Sequence, residues 1–192
     1  HLYQTDLKGF NTRDLTPFHG VQARLIAYRA QAPDQMLIAL NLQDRSRHDL
    51  YRLSLNHGAL SLTHINSEGM IDWLADTKLE ARVAISINES GYFELLYRVA
   101  SSTQWETAYK FPTTSQMPRL ISLSPNGKTA CFQDHHQDSG NRLWTIDLET
   151  LTITALGPKT EDNILECLID PMTGMPEGVA INNYQRSWHM FG

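Results

Sequence analysis

The densest group of side chains able to do chemistry is Asp134-His135-His136-Gln137-Asp138. Two carboxylates and two imidazoles are ligand types that hold zinc and other divalent metals. Adjacent residues in a hairpin loop rarely converge on one ion, however, and no further ligand set accompanies them. The run therefore reads as a solvated loop, or as contacts to a domain outside this chain. A second group, Asp44-Arg45-Ser46-Arg47-His48-Asp49, brings together two guanidinium groups, an imidazole and flanking carboxylates. Nucleophilic chemistry has no comparable footing. The chain contains no Gly-x-Ser-x-Gly elbow, no His-Glu-x-x-His, no P-loop and no Rossmann glycine pattern. Without a nucleophile on a strained turn and a base to activate it, acyl transfer has no basis. The expectation is no catalytic residue, no metal and no cofactor, so that this chain alone is not an enzyme.

The elements that must position these groups emerge from a repeat. A Leu-aromatic pair recurs at Leu2-Tyr3, Leu50-Tyr51, Leu96-Tyr97 and Leu143-Trp144, at intervals of 48, 46 and 47 residues. The first, second and fourth extend to a longer pattern, as in Leu143-Trp144-x-x-Asp147-Leu148. A degenerate copy sits at Ser187-Trp188-His189-Met190-Phe191. Each repeat holds several short runs that alternate in polarity or are rich in Val, Ile, Tyr and Trp, the signature of strands. Turn residues separate them, as in Asn56-His57-Gly58 and Ser124-Pro125-Asn126-Gly127. No segment shows a sustained 3.6-residue period; the nearest, Asp72–Arg82, has only a weak helical pattern, and strands are expected at Met70–Leu74 and Ala81–Ile87.

Four strands in a repeat of this length describe a blade of a β-propeller. The expected fold class is all-β, a partial β-propeller of four-stranded antiparallel blades of about 47 residues each. The whole chain is expected to form a single partial domain. Residues 1–18 end one blade; 19–66, 67–116 and 117–160 form whole blades; 161–192 begin another. The Leu-aromatic pairs fall on the third strand of each blade, where they pack as core. Leu50, Leu96 and Leu143 are expected at equivalent buried positions. Cys131 and Cys167 fall inside apolar strands and read as buried, inert thiols. Asp6 and Asp147 read as turn-stabilising carboxylates.

Strands alternate in direction, so turns between second and third strands share one face with the connections between blades. That face carries Arg45, Arg47, His48, Glu68, His135 and His136. Loops held on a rigid scaffold are where function concentrates. Arg45, Arg47, His48, His135 and His136 are therefore the candidate contacts to a missing domain or to a substrate.

Composition narrows the partners. Hydrophobic residues make up 41% of the 192 and charged residues 19%, with a net charge of −5. A phosphate backbone demands concentrated positive charge, so no nucleic-acid partner is expected. No apolar run approaches the ~18 residues of a membrane span, so no membrane partner is expected either. No signal peptide is present in this segment, and the compartment stays open between cytoplasm and periplasm. The chain begins at His1 and ends at Gly192 directly after Met190-Phe191, as a piece cut from something longer would. Open strand edges in such a piece invite self-association.

Several segments resemble the propeller region of S9-type serine peptidases, the dipeptidyl-aminopeptidase and acylaminoacyl-peptidase-like relatives of prolyl oligopeptidase. Leu15-Thr16-Pro17-Phe18-His19-Gly20-Val21-Gln22-Ala23-Arg24 is similar to an inter-blade segment of that family. Ala39-Leu40-Asn41 leading to His48-Asp49-Leu50-Tyr51-Arg52-Leu53 is a second match. Others are Trp73-Leu74-Ala75-Asp76 with Arg82, and Asp170-Pro171-Met172-Thr173-Gly174 with Tyr184-Gln185-Arg186-Ser187-Trp188. The resemblance runs nearly end to end. It implies a two-domain parent, a propeller followed by an α/β-hydrolase domain with a Ser-Asp-His triad, acting on short peptides. The propeller would limit access to the active site, with the hydrolase domain and the peptide as its partners. No triad residue carries over onto this chain. Similar blades also build TolB-like and WD40-like scaffolds, so the alternative is a stand-alone propeller that binds a protein partner.

Overall fold

A computed structural model describes residues 1–99, 102–112, 117–134 and 140–191. Among these residues there are seventeen strands and no helix, hence none long and apolar enough to cross a membrane. The strands form five sheets in chain order. The first pairs β1 (Tyr3–Thr5) with β2 (Thr12–Asp14). The next joins β3 (Ala23–Tyr28), β4 (Gln35–Leu40), β5 (Asp49–Ser54) and β6 (Leu60–His64). The third joins β7 (Met70–Ala75), β8 (Ala81–Ile87), β9 (Phe93–Tyr97) and β10 (Glu106–Lys110). The fourth joins β11 (Arg119–Leu123), β12 (Thr129–Asp134), β13 (Asn141–Asp147) and β14 (Ile153–Thr160). The last holds β15 (Asn163–Ile169), β16 (Pro176–Asn183) and β17 (Gln185–Met190). This is the expected all-β architecture of four-stranded antiparallel propeller blades.

The chain divides into two compact units, residues 1–70 with 77–80, and residues 71–76 with 81–192. In the first, Leu15, Val21, Ile38, Leu40, Tyr51 and Leu53 form one core. In the second, Val83, Ile85 and Leu95 from β8 and β9 meet Ala130, Phe132 and Ile146 from β12 and β13. Phe111 and Phe132 close this core edge to face, with ring centroids 5.5 Å apart, a favoured aromatic geometry. On the other face of the same sheet, Cys131 and Leu143 pack with Ile164, Val179 and Ile181. In the central strand β8 both faces are covered: Ala81, Val83 and Ile85 alternate with Arg82, Ala84 and Ser86, and all six are buried.

One expectation is corrected, and the weak helical pattern of Asp72–Arg82 yields to the expected strands: the stretch is most of β7, a turn, and the start of β8. Leu79 in that turn has φ +60°, a left-handed conformation that a right-handed helix cannot contain. The Leu-aromatic pair of the second repeat also changes register. Leu50, Leu96 and Leu143 are all buried on third strands, but they do not share a face. Leu143 packs toward the sheet that follows and Trp144 toward the sheet before. In β9 it is Leu95 that packs toward the following sheet, with Phe93 and Tyr97 on the same side. Leu96 therefore lies on the opposite face. A slip of one residue moves every side chain of a strand to the other face. The counterpart of Leu143-Trp144 is thus Leu95-Leu96.

Among the described residues β1 pairs with β2, and β16 is flanked on its two sides by β15 and β17. β17 already occupies the third position of its sheet and carries the degenerate copy of the motif.

Candidate functional site

The candidate face is built, in the first unit, from the loop between β4 and β5 and the segment between β6 and β7. Three buried polar side chains draw these together. Asn41, just past β4, accepts the Gln22 N–H on Oδ1 at 2.6 Å and donates to the Arg45 carbonyl at 3.0 Å. Asp49, the first residue of β5, accepts the Asn66 backbone N–H at 2.8 Å. Asn66 donates from Nδ2 to the carbonyls of His48 at 3.2 Å and Met70 at 2.7 Å, and accepts the Met70 N–H at 2.8 Å. Asn41, Asp49 and Asn66 are 5%, 4% and 3% exposed. Polar groups that deep need partners, and these fix the loop backbone from both ends.

On this frame the loop folds on itself. The Asp44 carboxylate accepts the Ser46 N–H at 2.8 Å and its hydroxyl at 2.7 Å. The backbone bond first, and the hydroxyl bond second, hold the Asp44 carboxyl below its ordinary pKa. Arg45 reaches back to donate to the His19 carbonyl at 3.2 Å, its guanidinium lying over Gly20 at φ +68°, where a side chain would be strained. Arg47 makes a long contact, 3.5 Å, to the Asn66 carbonyl. His48 is half-buried, and its Nε2 has no hydrogen-bond partner among the described residues. Burial, and then the charge of Arg24, push the His48 imidazole below its ordinary pKa. Both effects penalise the imidazolium, against a smaller opposing pull from the Asp49 carboxylate. Nearby, His64 Nε2 and the Glu68 carboxylate lie 3.2 Å apart.

Arg45, Arg47 and His48 thus share one rigid loop, joined to the segment that carries Glu68. His135 and His136 lie outside the described residues. Asp134, at the end of β12, is buried. Among the described residues no group of three or more His, Cys, Asp or Glu is placed to hold a metal ion. Sequence reasoning missed Asn66. Its signal was an asparagine directly after a strand and before Ser67-Glu68-Gly69, the place where a side chain closes a turn. It also missed Ser187 and His189, whose Oγ and Nε2 lie 3.2 Å apart on exposed β17. They meet because residues i and i+2 share a strand face. Both are open to solvent, and no carboxylate orients the imidazole among the described residues, so the activation a serine nucleophile needs is missing.

Asp6 and Asp147 hold turns: Asp6 accepts the Lys8 N–H at 2.6 Å, and Asp147 those of Glu149 and Thr150, each at 2.8 Å. Cys131 is fully buried and Cys167 partly so; both are free thiols. Burial pushes both thiols above their ordinary pKa, which suppresses the reactive thiolate.

The site can present two guanidinium groups beside an imidazole to a carboxylate-bearing or carbonyl-bearing surface. Guanidinium forks suit such groups through paired hydrogen bonds.

No family model matches the chain. It is 28% identical over 193 residues to dipeptidyl aminopeptidase BIII of Pseudoxanthomonas mexicana, an alignment that covers 98% of this chain and 27% of that protein. In solved structures it is similar to TolB from Acinetobacter baumannii, with a TM-score of 0.64, 12% identity, and coverage of 98% of this chain and 46% of TolB. It is also similar to a prolyl endopeptidase, with a TM-score of 0.56, 12% identity, and coverage of 93% of this chain and 28% of that one. At such identities the two structures speak for the fold alone. The chain is a run of propeller blades of the kind found in TolB and prolyl endopeptidases, similar in sequence to about a quarter of a dipeptidyl aminopeptidase.

Proposed function

We propose that this chain is the substrate-gating propeller of an S9-like serine peptidase acting on short peptides. The catalytic α/β-hydrolase domain belongs to the remainder of the parent. The observation that carries this reading is the end-to-end similarity to a stretch of a dipeptidyl aminopeptidase. The blades alone do not separate a peptidase from a TolB-like scaffold. The sequence similarity favours the former. In this reading Arg45, Arg47 and His48 contact the hydrolase domain or the incoming peptide, together with His135 and His136. The rigid frame of Asn41, Asp49 and Asn66 supports that role, because a gate must hold its shape while loops carry the contacts.

The test uses the whole reading frame. A Gly-x-Ser-x-Gly downstream of Gly192, followed by Asp and His, is expected. The full-length protein should hydrolyse aminoacyl- or dipeptidyl-p-nitroanilides and spare folded proteins and long peptides. A reading frame of further blades with no hydrolase pattern would instead establish a stand-alone propeller binding a protein partner.

A further inference from the structure

A cleft of about 220 Å³ opens between β11 and β15 in the second unit. Each of these strands has a hydrogen-bonded neighbour on one side only. Gln133 lines the cleft and is 7% exposed. Its Nε2 donates to Asn141 Oδ1 at 3.3 Å, while its Oε1 accepts no hydrogen bond among the described residues. A buried amide oxygen without a donor is unfavourable and calls for one. Arg119, also lining the cleft, is exposed and enters no ion pair among the described residues. The carboxylate of Glu166, which lines the same cleft, is held by Arg186 at 2.5 Å. The cleft therefore holds a guanidinium outside any ion pair among the described residues and, buried in its wall, an amide oxygen without a donor, with Ile164 and Ile169 as apolar lining.

A ligand matching this set needs an anionic group for the guanidinium, an N–H for the carboxamide oxygen and an apolar side chain. The last residue of a peptide carries all three. The volume points the same way: it is below the ~300–1,000 Å³ of sites for drug-sized ligands, and so suits the end of a chain and not its body. We propose that the cleft captures the C-terminal residue of a short peptide, with its α-carboxylate on Arg119 and its amide N–H on Gln133 Oε1. The choice of a peptide among ligands with this chemistry rests on the peptidase reading. The capture itself needs no hydrolase domain. It is tested on the 192-residue chain without any turnover, so its failure leaves the hydrolysis test untouched.

Cys167 lines the same cleft and is partly exposed, whereas Cys131 is fully buried. Alkylation by iodoacetamide, followed site by site by mass spectrometry, therefore reports occupancy at Cys167 with Cys131 as internal control. The probes are the dipeptide Ala-Leu and its C-terminal amide. Ala-Leu is expected to slow labelling of Cys167, and the amide to require roughly tenfold higher concentration, the weight of a charge-assisted hydrogen bond. Arg119→Gln, a substitution at an exposed position, should abolish the difference between acid and amide, and Arg119→Lys should restore part of it. Unchanged labelling of Cys167 at millimolar Ala-Leu would overturn the proposal. So would equal protection by acid and amide, or full protection in Arg119→Gln.

Discussion

Asp49 Oδ1 accepts the backbone N–H of Asn66 at 2.8 Å, across 17 residues of sequence, with both residues buried. The bond ties the first position of a third strand to the connection that leads out of the sheet. The β11–β14 sheet repeats the device with different chemistry. Asn141, the first residue of β13, donates to the Asp162 carbonyl at 3.1 Å, across 21 residues. Each connection thereby acquires a fixed starting point, and in the first unit that point also anchors the loop of Arg45, Arg47 and His48.

Removing the anchor should be costly. Asp49→Ala leaves the Asn66 N–H buried without an acceptor, and such a group costs about 1–3 kcal/mol. Urea unfolding should show a lower midpoint with an unchanged slope. Arg45→Ala and Arg47→Ala, at exposed positions, should move stability by no more than ~0.5 kcal/mol.

The register of β9 can be read from coupling energies. Leu95 shares a core with Ile146, and Leu96 does not. Each Leu→Ala change is expected to cost ~2–5 kcal/mol. Only Leu95→Ala combined with Ile146→Val should be non-additive, by ~0.5 kcal/mol or more, because contacting residues couple and separated ones add. Additivity for Leu95 together with coupling for Leu96 would reverse the assignment.

The chain alone should leave aminoacyl- and acylaminoacyl-p-nitroanilides intact, since no activated nucleophile is placed among the described residues. Turnover that survives removal of contaminating proteases, and is lost in Ser187→Ala, would show that the Ser187–His189 contact does chemistry. On the proposed peptidase reading, Arg45→Ala and Arg47→Ala in the parent protein are expected to lower kcat/KM for peptides without changing Tm.

Alkaline pH should destabilise the fold through the thiols. Burial raises the Cys131 and Cys167 pKa values in the folded state. Above the unfolded thiol pKa of ~8.5 the unfolded chain therefore binds fewer protons than the folded one. Stability is fully present below that pH and falls as pH rises beyond it, by up to ~1.4 kcal/mol per pH unit for buried Cys131 and by less for the partly exposed Cys167. Cys131→Ala should flatten the decline between pH 8.5 and 10 when unfolding midpoints are measured across that range.

Much of the architecture was legible in the sequence because its causes are local. Alternation and turn residues depend on neighbours a few positions away, so the runs Ala81–Ile87 and Arg119–Leu123 coincide with β8 and β11. The Leu-aromatic repeat marked the third strand of each blade for the same reason. What the sequence could not decide was face. Leu95 and Leu96 are both apolar and adjacent, and only the cores on either side of the sheet determine which one each packs into. The candidate loop was legible as a cluster, Asp44 to Asp49, but its support was not. Asn66 acts across 17 residues, and a lone asparagine carries no mark of the backbone groups it will meet. Gln133 and Arg119 likewise line one cleft with Cys167 only because β11 and β15 border it. Long-range contacts follow from how the sheets stack, and they exist only in the folded chain.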